Sequence, residues 1–391
     1  MATTNPANLP GAPVDPSQAQ GAQIPLQSFT IPDFPPSARG LKALTLTCDI
    51  KTDEYQSLLA QPFKIPDSIP FGAESLTLEL FSLGYPPGFL AKLAERLPNL
   101  KSVVVYSQLF AGLTEESRKD AVEFFKKLPN LRALHFLDVF AKDKFFSEAA
   151  EWLKYNTSEK PGEARRGLMF LEVNYTFRHE DDEFMQRIQA TELPLLIGPG
   201  LISASFNLAT SEEEQGQQEG ASASAGKEGV MAFNKSLAAG LVEELTETDS
   251  YPRGLRALNS TMYTLSPADL KKVLERNKHI MVLNVTVETE PGEDSKKQML
   301  AAIEQCANIE QVEIVAHPTV QFLMALQDSN NEVLAKSFPS EADMKTFSQK
   351  CSKLQSFKVN ILRTTSFGSV EWEKKNGKWA GGVTQGKGIS L

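Results

Sequence analysis

Several kinds of residue are scarce in this 391-residue chain, and each shortage excludes something. No run of 18 apolar residues occurs, so no membrane-spanning helix is expected. Cysteine is rare: Cys48, Cys306 and Cys351 stand far apart, without metal-ligand spacing, and their odd number suits a reducing compartment. Basic charge is in deficit. The net charge is −9 and Lys and Arg form no extended run, which argues against nucleic-acid binding, since phosphate contacts need a basic face. No Arg precedes Arg39, and no basic segment is followed by an apolar stretch. Neither a mitochondrial presequence nor a secretory signal is read there, so cytoplasm or nucleus is expected.

Catalytic signatures are missing as well. The chain shows no nucleophile elbow, no Cys-x-x-Cys and no Rossmann glycine pattern. The segment Gly381 to Gly388 approaches a phosphate-binding loop, but Gly388 stands where a magnesium-holding Ser or Thr is required. The densest group of potential metal ligands, His179-Glu180-Asp181-Asp182-Glu183, has one imidazole and reads as a solvated acidic turn. His135, His279 and His317 are isolated. No catalytic residue, cofactor or metal is therefore assigned.

What the chain does have is repetition. Leu97-Pro98-Asn99-Leu100 recurs 31 residues later as Leu128-Pro129-Asn130-Leu131. Each copy follows a helical pattern and opens a short strand-like run. A wider template, Leu-x-x-Leu-x-Leu, fits Leu41-Leu44-Leu46, Ala73-Leu76-Leu78, Leu100-Val103-Val105, Leu131-Leu134-Phe136 and Leu168-Leu171-Val173. Further on it fits Leu255-Leu258-Ser260, Ile280-Leu283-Val285, Ile309-Val312-Ile314 and Leu354-Phe357-Val359, with Leu201-Ala204-Phe206 as a weaker match. Amphipathic helices separate the runs: Phe89, Leu90, Leu93 and Leu97 share one face, as do Phe145, Phe146, Ala149 and Leu153. Ser266-Pro267-Ala268-Asp269 is a capped helix start, and Ser340 with Asp343 is another. Strand and helix alternating at this period build parallel strands joined by right-handed crossovers.

The pattern resembles the leucine-rich repeat proteins of the longer, helix-containing type, such as the ribonuclease-inhibitor-like and F-box-associated arrays. The resemblance covers roughly residues 41–365 and rests on periodicity. The repeats depart from that family in lacking Asn or Cys three places after the third apolar position. The fold expected is an irregular α/β solenoid with parallel strands, outer helices and a C-terminal β-hairpin cap; a doubly wound sheet, and with it an enzyme, is the alternative. Residues 1–38, rich in Pro, Ala, Gln and Ser, read as a disordered tail, with Phe29 to Phe34 touching the first repeat. The solenoid would span 39–365, with an acidic, disordered insert at 211–229. A hairpin turning on Asn376-Gly377 would occupy 366–383, and 384–391 would be loose.

The resemblance implies a non-enzymatic scaffold that binds another protein through its concave sheet face. F-box relatives would imply a substrate receptor of a ubiquitin ligase, yet residues 1–38 are too proline-rich to form the helical F-box this requires. On the concave face the template places a central apolar group, Val104, Tyr106 and Leu137, beside His135, Glu172 and Asn174. Trp372 and Trp379 are expected to form the apolar side of the hairpin cap, or, in the alternative, to be displayed as the other candidate partner contacts. The insert offers no core and a change of loop length costs only ~0.6 kcal/mol per doubling. Deleting Glu212 to Glu228 and closing the gap with glycines is expected to leave the thermal midpoint within a few degrees, measured by calorimetry.

Overall fold

The computed structural model describes residues 21–155, 167–177, 183–210, 237–249, 251–361 and 369–384. They fall into two compact units, Met1–Arg165 and Arg166–Leu391.

The first unit holds five strands: β1 (Gly21–Leu26), β2 (Ala43–Cys48), β3 (Ser75–Glu79), β4 (Ser102–Tyr106) and β5 (Ala133–Leu137). Each pairs in parallel with the one before it in sequence. Helices Thr52–Leu59, Phe89–Arg96, Glu115–Lys126 and Phe145–Leu153 alternate with them. Because every crossover adds its strand to the same edge with the same hand, all the helices lie on one side of the strands. Burial follows the template: Leu44, Leu46, Leu76, Leu78, Val103, Val105, Leu134 and Phe136 are all enclosed between strands and helices. Aromatic rings fill the space, with Phe110 against Phe124, Phe125, Phe136 and Phe145 in tilted or edge-to-face contacts.

The chain enters this array earlier than its composition indicates. Strand β1 lies inside the segment read as a tail, pairing with β2 from Gly21↔Ala43 to Leu26↔Cys48. Behind it Leu26, Phe29 and Ile31 are buried, and Phe29 packs on Tyr55 and Phe89. The contact of Phe29 to Phe34 is as expected, and the strand before them is not: low overall hydrophobicity hid a segment that the exposed edge of β2 could organise. Residues 1–20 lie outside the described residues.

In the second unit β6 (Phe170–Phe177), β7 (Ser203–Thr210), β8 (Ala257–Leu265), β9 (Val282–Thr289), β10 (Gln311–Pro318) and β11 (Ser356–Ile361) again pair in parallel and in chain order. The weak match at Leu201-Ala204-Phe206 is thus a genuine repeat. Among the described residues, α-helices follow at Phe184–Arg187, 237–246, Pro267–Arg276, Glu293–Ile303, Val320–Ser337 and Glu341–Lys350. Both expected capping boxes form, at Ser266 with Asp269 and at Ser340 with Asp343. Strand order never reverses in either unit, which rules out the doubly wound alternative. The fold is a leucine-rich-repeat-like α/β array. The acidic insert at 211–229 lies outside the described residues.

The turn from helix to strand ties neighbouring repeats together. Asn99 Nδ2 donates to the Phe71 carbonyl at 3.0 Å, and Asn130 Nδ2 to the Pro98 carbonyl at 3.2 Å. In the second unit Asn277 Nδ2 donates to the Leu245 carbonyl at 3.0 Å. Cys306 Sγ then lies 3.6 Å from the Asn277 carbonyl, and Cys351 Sγ 3.8 Å from that of Cys306. The side-chain ladder missing after the strands is therefore present before them. Helix ends are joined too: the buried Asp120 reaches the start of the preceding helix, accepting from Leu90 N at 3.1 Å and Ala91 N at 3.0 Å.

The C-terminal pair β12 (Ser369–Lys375) and β13 (Lys378–Thr384) runs antiparallel and extends the edge of β11. Thr384, assigned above to the loose end, belongs to β13. Asn376 and Gly377 take φ of 51° and 77°, the left-handed pair that a two-residue hairpin needs, and Lys374 faces Trp379 as expected. Gly381 is required sterically: a Cβ there would meet the Glu371 carbonyl oxygen at 1.9 Å. Trp372 and Trp379 are not displayed for a partner. They are 6% and 7% exposed, and Trp372 Nε1 donates to the Pro339 carbonyl at 2.9 Å, beside the Glu341–Lys350 helix. Residues 366–368 and 385–391 lie outside the described residues.

Two substitutions test these contacts. Trp379→Ala should cost about 3–5 kcal/mol in chemical denaturation, as truncation of a buried tryptophan does. Asp120→Ala should cost about 1.5–3 kcal/mol by removing two bonds to a charged acceptor. Burial raises the Asp120 carboxyl above its usual range, against the hydrogen bonds that lower it. A raised folded-state value contributes stability below the unfolded value and loses it as pH rises through the folded one. The gap between wild type and Asp120→Ala should therefore narrow from acid toward neutral pH.

Candidate functional site

Alternate residues of each strand point away from the helices, and these helix-free faces carry most of the residues singled out above. In the first unit the pairing aligns Thr45, Thr77, Val104 and His135 in one row. The next row aligns Thr47, Glu79 and Tyr106, and Leu137 follows His135 by two residues on the same face of β5. The row begins polar: Gln23 Nε2 donates to Thr47 Oγ1 at 3.1 Å, and Thr47 Oγ1 donates to Glu79 Oε2 at 3.3 Å. It ends apolar, with Tyr106 37% exposed at the end of β4.

Beside Tyr106 stands a residue that the template did not mark. Leu80 follows β3 directly, donates its N–H to the Tyr106 carbonyl at 2.8 Å, and is 49% exposed. Its φ is 65°, a left-handed conformation that costs a branched side chain roughly 1–2 kcal/mol. Strain of this kind persists where surrounding structure imposes it, commonly at functional sites. A left-handed leucine has no signal in sequence, because such positions are normally marked by Gly or Asn.

Glu172 and Asn174 belong to the second unit and are described there by themselves. They join a directed chain of hydrogen bonds across three strands. Thr261 Oγ1 donates to Asn207 Oδ1 at 3.3 Å, Asn207 Nδ2 to Asn174 Oδ1 at 2.9 Å, and Asn174 Nδ2 to Glu172 Oε1 at 2.7 Å. Asn207 Nδ2 also reaches Ser205 Oγ at 2.8 Å. Donors all point toward the Glu172 carboxylate, which suits its negative charge. In the row through Glu172, the pairing aligns Ser205, Asn259, Asn284, Glu313 and Lys358. The Oδ1 atoms of Asn259 and Asn284 are enclosed without a hydrogen-bond partner. Asn207 and Ser205 escaped sequence reasoning because the β7 template match was weak.

The remaining candidates separate cleanly. Trp372 and Trp379 lie on the helix side of the hairpin, not on the helix-free face. Gly381 to Thr384, the front of the phosphate-loop-like segment, form part of β13 and so are extended; Gln385 to Gly388 lie outside the described residues. Of the acidic turn, 179–182 lie outside them as well. Among the described residues no group of three or more His, Cys, Asp or Glu could hold a metal ion, and no helix is long and apolar enough to cross a membrane. Burial pushes the Cys306 thiol up to about 12 and the Cys351 thiol to about 11, so both stay protonated and unreactive at neutral pH.

No protein-family model matches the chain, and no curated protein matches it. Among solved structures it is similar to the leucine-rich repeat-containing protein LegL7 from Legionella pneumophila. The two are 12% identical with a TM-score of 0.38, over 91% of this chain and 92% of that one. The repeat-like architecture stands on this chain's own strand order, parallel pairing and interrepeat ladder.

Proposed function

We propose that the protein is a non-catalytic scaffold that binds another protein through the helix-free face of its first unit, centred on Val104, Tyr106, His135 and Leu137. The observation that carries this reading is the pair Tyr106 and Leu80. Two large apolar side chains stand exposed on adjoining strand ends, one of them held in a strained backbone conformation. Around them Thr77, Thr47 and Glu79 supply a polar surround. A few apolar anchors inside a polar rim is the arrangement in which protein interfaces concentrate their binding energy. A partner lying across several strands could bury the ~1,200–2,000 Å² of a stable complex.

The test combines Tyr106→Ala with Leu137→Ser. These side chains stand on the face opposite the core, so circular dichroism and the melting temperature should barely change. Affinity purification followed by mass spectrometry should lose the main stoichiometric partner of the wild-type protein. A folded double variant that retains every partner would refute the reading. An unfolded one would show that the face is covered and structural.

A further inference from the structure

The hairpin leaves one strand edge open, and its chemistry selects an occupant. Lys375 and Lys378 flank the two-residue turn, so their pair closes the ladder with hydrogen bonds and the pattern alternates from there. Lys378, Ala380, Gly382 and Thr384 then turn their main-chain groups toward β12. Trp379, Gly381 and Val383 turn theirs outward. Contacts on the far side of β12 agree with this phase: the N–H of Lys374, the residue facing Trp379, donates away from β13 to the Gln355 carbonyl at 2.8 Å. Strand β13 stands last in the order, and among the described residues nothing pairs with its outer edge.

Such an edge is ordinarily blunted by charge, by proline or by a bulge. The first strand of the other unit follows this rule with Pro25. From Trp379 to Thr384 the sequence is Trp-Ala-Gly-Gly-Val-Thr, with neither charge nor proline, and its pairing with β12 runs one to one without a bulge. Two further groups there are unsatisfied. Val383 is 37% exposed, and the indole Nε1 of the buried Trp379 has no acceptor.

We infer that β13 is a self-association edge, taking the same strand of a second copy of this chain in antiparallel register about a twofold axis at Gly381. The register is self-complementary. Gly381 faces Gly381 of the second copy, and Trp379 faces Val383 in both directions. All three outward residues of each copy then exchange main-chain hydrogen bonds. Each exposed Val383 then stands opposite the other copy's Trp379, across the new pair of strands. Antiparallel pairing of like edges is what twofold symmetry provides without any further matched surface. This inference concerns a different surface from the Tyr106 face and does not rest on the function proposed for it.

The experiment is sedimentation equilibrium of the full chain over about two decades of concentration, since a dimer must dissociate on dilution. Wild type should show a reversible monomer–dimer equilibrium. Val383→Pro removes one outward N–H per copy while leaving every hydrogen bond to β12 in place. It should weaken the dimer about tenfold or more with an unchanged melting temperature, two hydrogen bonds being lost across the axis. Should the proline disturb the hairpin itself, Val383→Asp serves instead; it keeps the N–H but sets a carboxylate against the negative face of the opposing indole, and should also give monomer. A wild type that is monomeric at every concentration overturns the inference. So does a dimer that survives in either folded variant.

Discussion

Each strand–helix unit of this protein has an apolar face that it cannot cover alone. That constraint shapes everything else. The inward side chains of one strand, such as Val103 and Val105, are enclosed only because equivalent residues stack on either side and a helix closes the layer. Stacking also aligns the chain at the helix-to-strand turn, where the N–H of Lys101 meets the Glu74 carbonyl at 2.7 Å and that of Arg132 meets the Lys101 carbonyl at 2.8 Å. Buried Asn277, Cys306 and Cys351 repeat this alignment through side chains in the second unit. A buried carbonyl without a donor is costly, so the ladder that satisfies it also holds the spacing of the repeats.

Ends of such an array need separate solutions. Within the first unit β1 and the residues after it cover the outer side of β2, burying Leu26, Phe29 and Ile31. Within the second unit the chain reverses direction and lays two antiparallel strands against β11, with Trp372 tucked beneath the last helix. Reversal moves the free edge from β11 to β13 and does not abolish it. That leftover edge, short and uncharged, is where the geometry favours a second copy of the chain.

With one side of each strand committed to the helices, the other is left free of them. The two units place different residues there. In the first, an exposed tyrosine ends a threonine-rich surface, with a strained leucine bonded to its carbonyl. In the second, carboxamides dominate, and the directed bonds from Thr261 to Glu172 hold them in order.

Periodicity made the architecture legible. Recurring Leu-x-x-Leu-x-Leu set which strand residues face the core, and capping signals at Ser266 and Ser340 marked helix starts correctly, because these are local rules with short reach. The Asn376-Gly377 turn and its Lys374–Trp379 pairing were equally local. Other features depended on contacts between distant residues. Strand β1 exists because β2 offers it an edge, the ladder of Asn277, Cys306 and Cys351 because successive turns stack, and the exposure of Leu80 because its N–H is held by Tyr106 in the next repeat. The tryptophans, which the sequence left either as the apolar side of the cap or as displayed groups, are buried beside the Glu341–Lys350 helix. Sequence spacing determined which side chains share a face. Only the packed structure decided which of those faces is covered, because covering depends on what the neighbouring repeat brings.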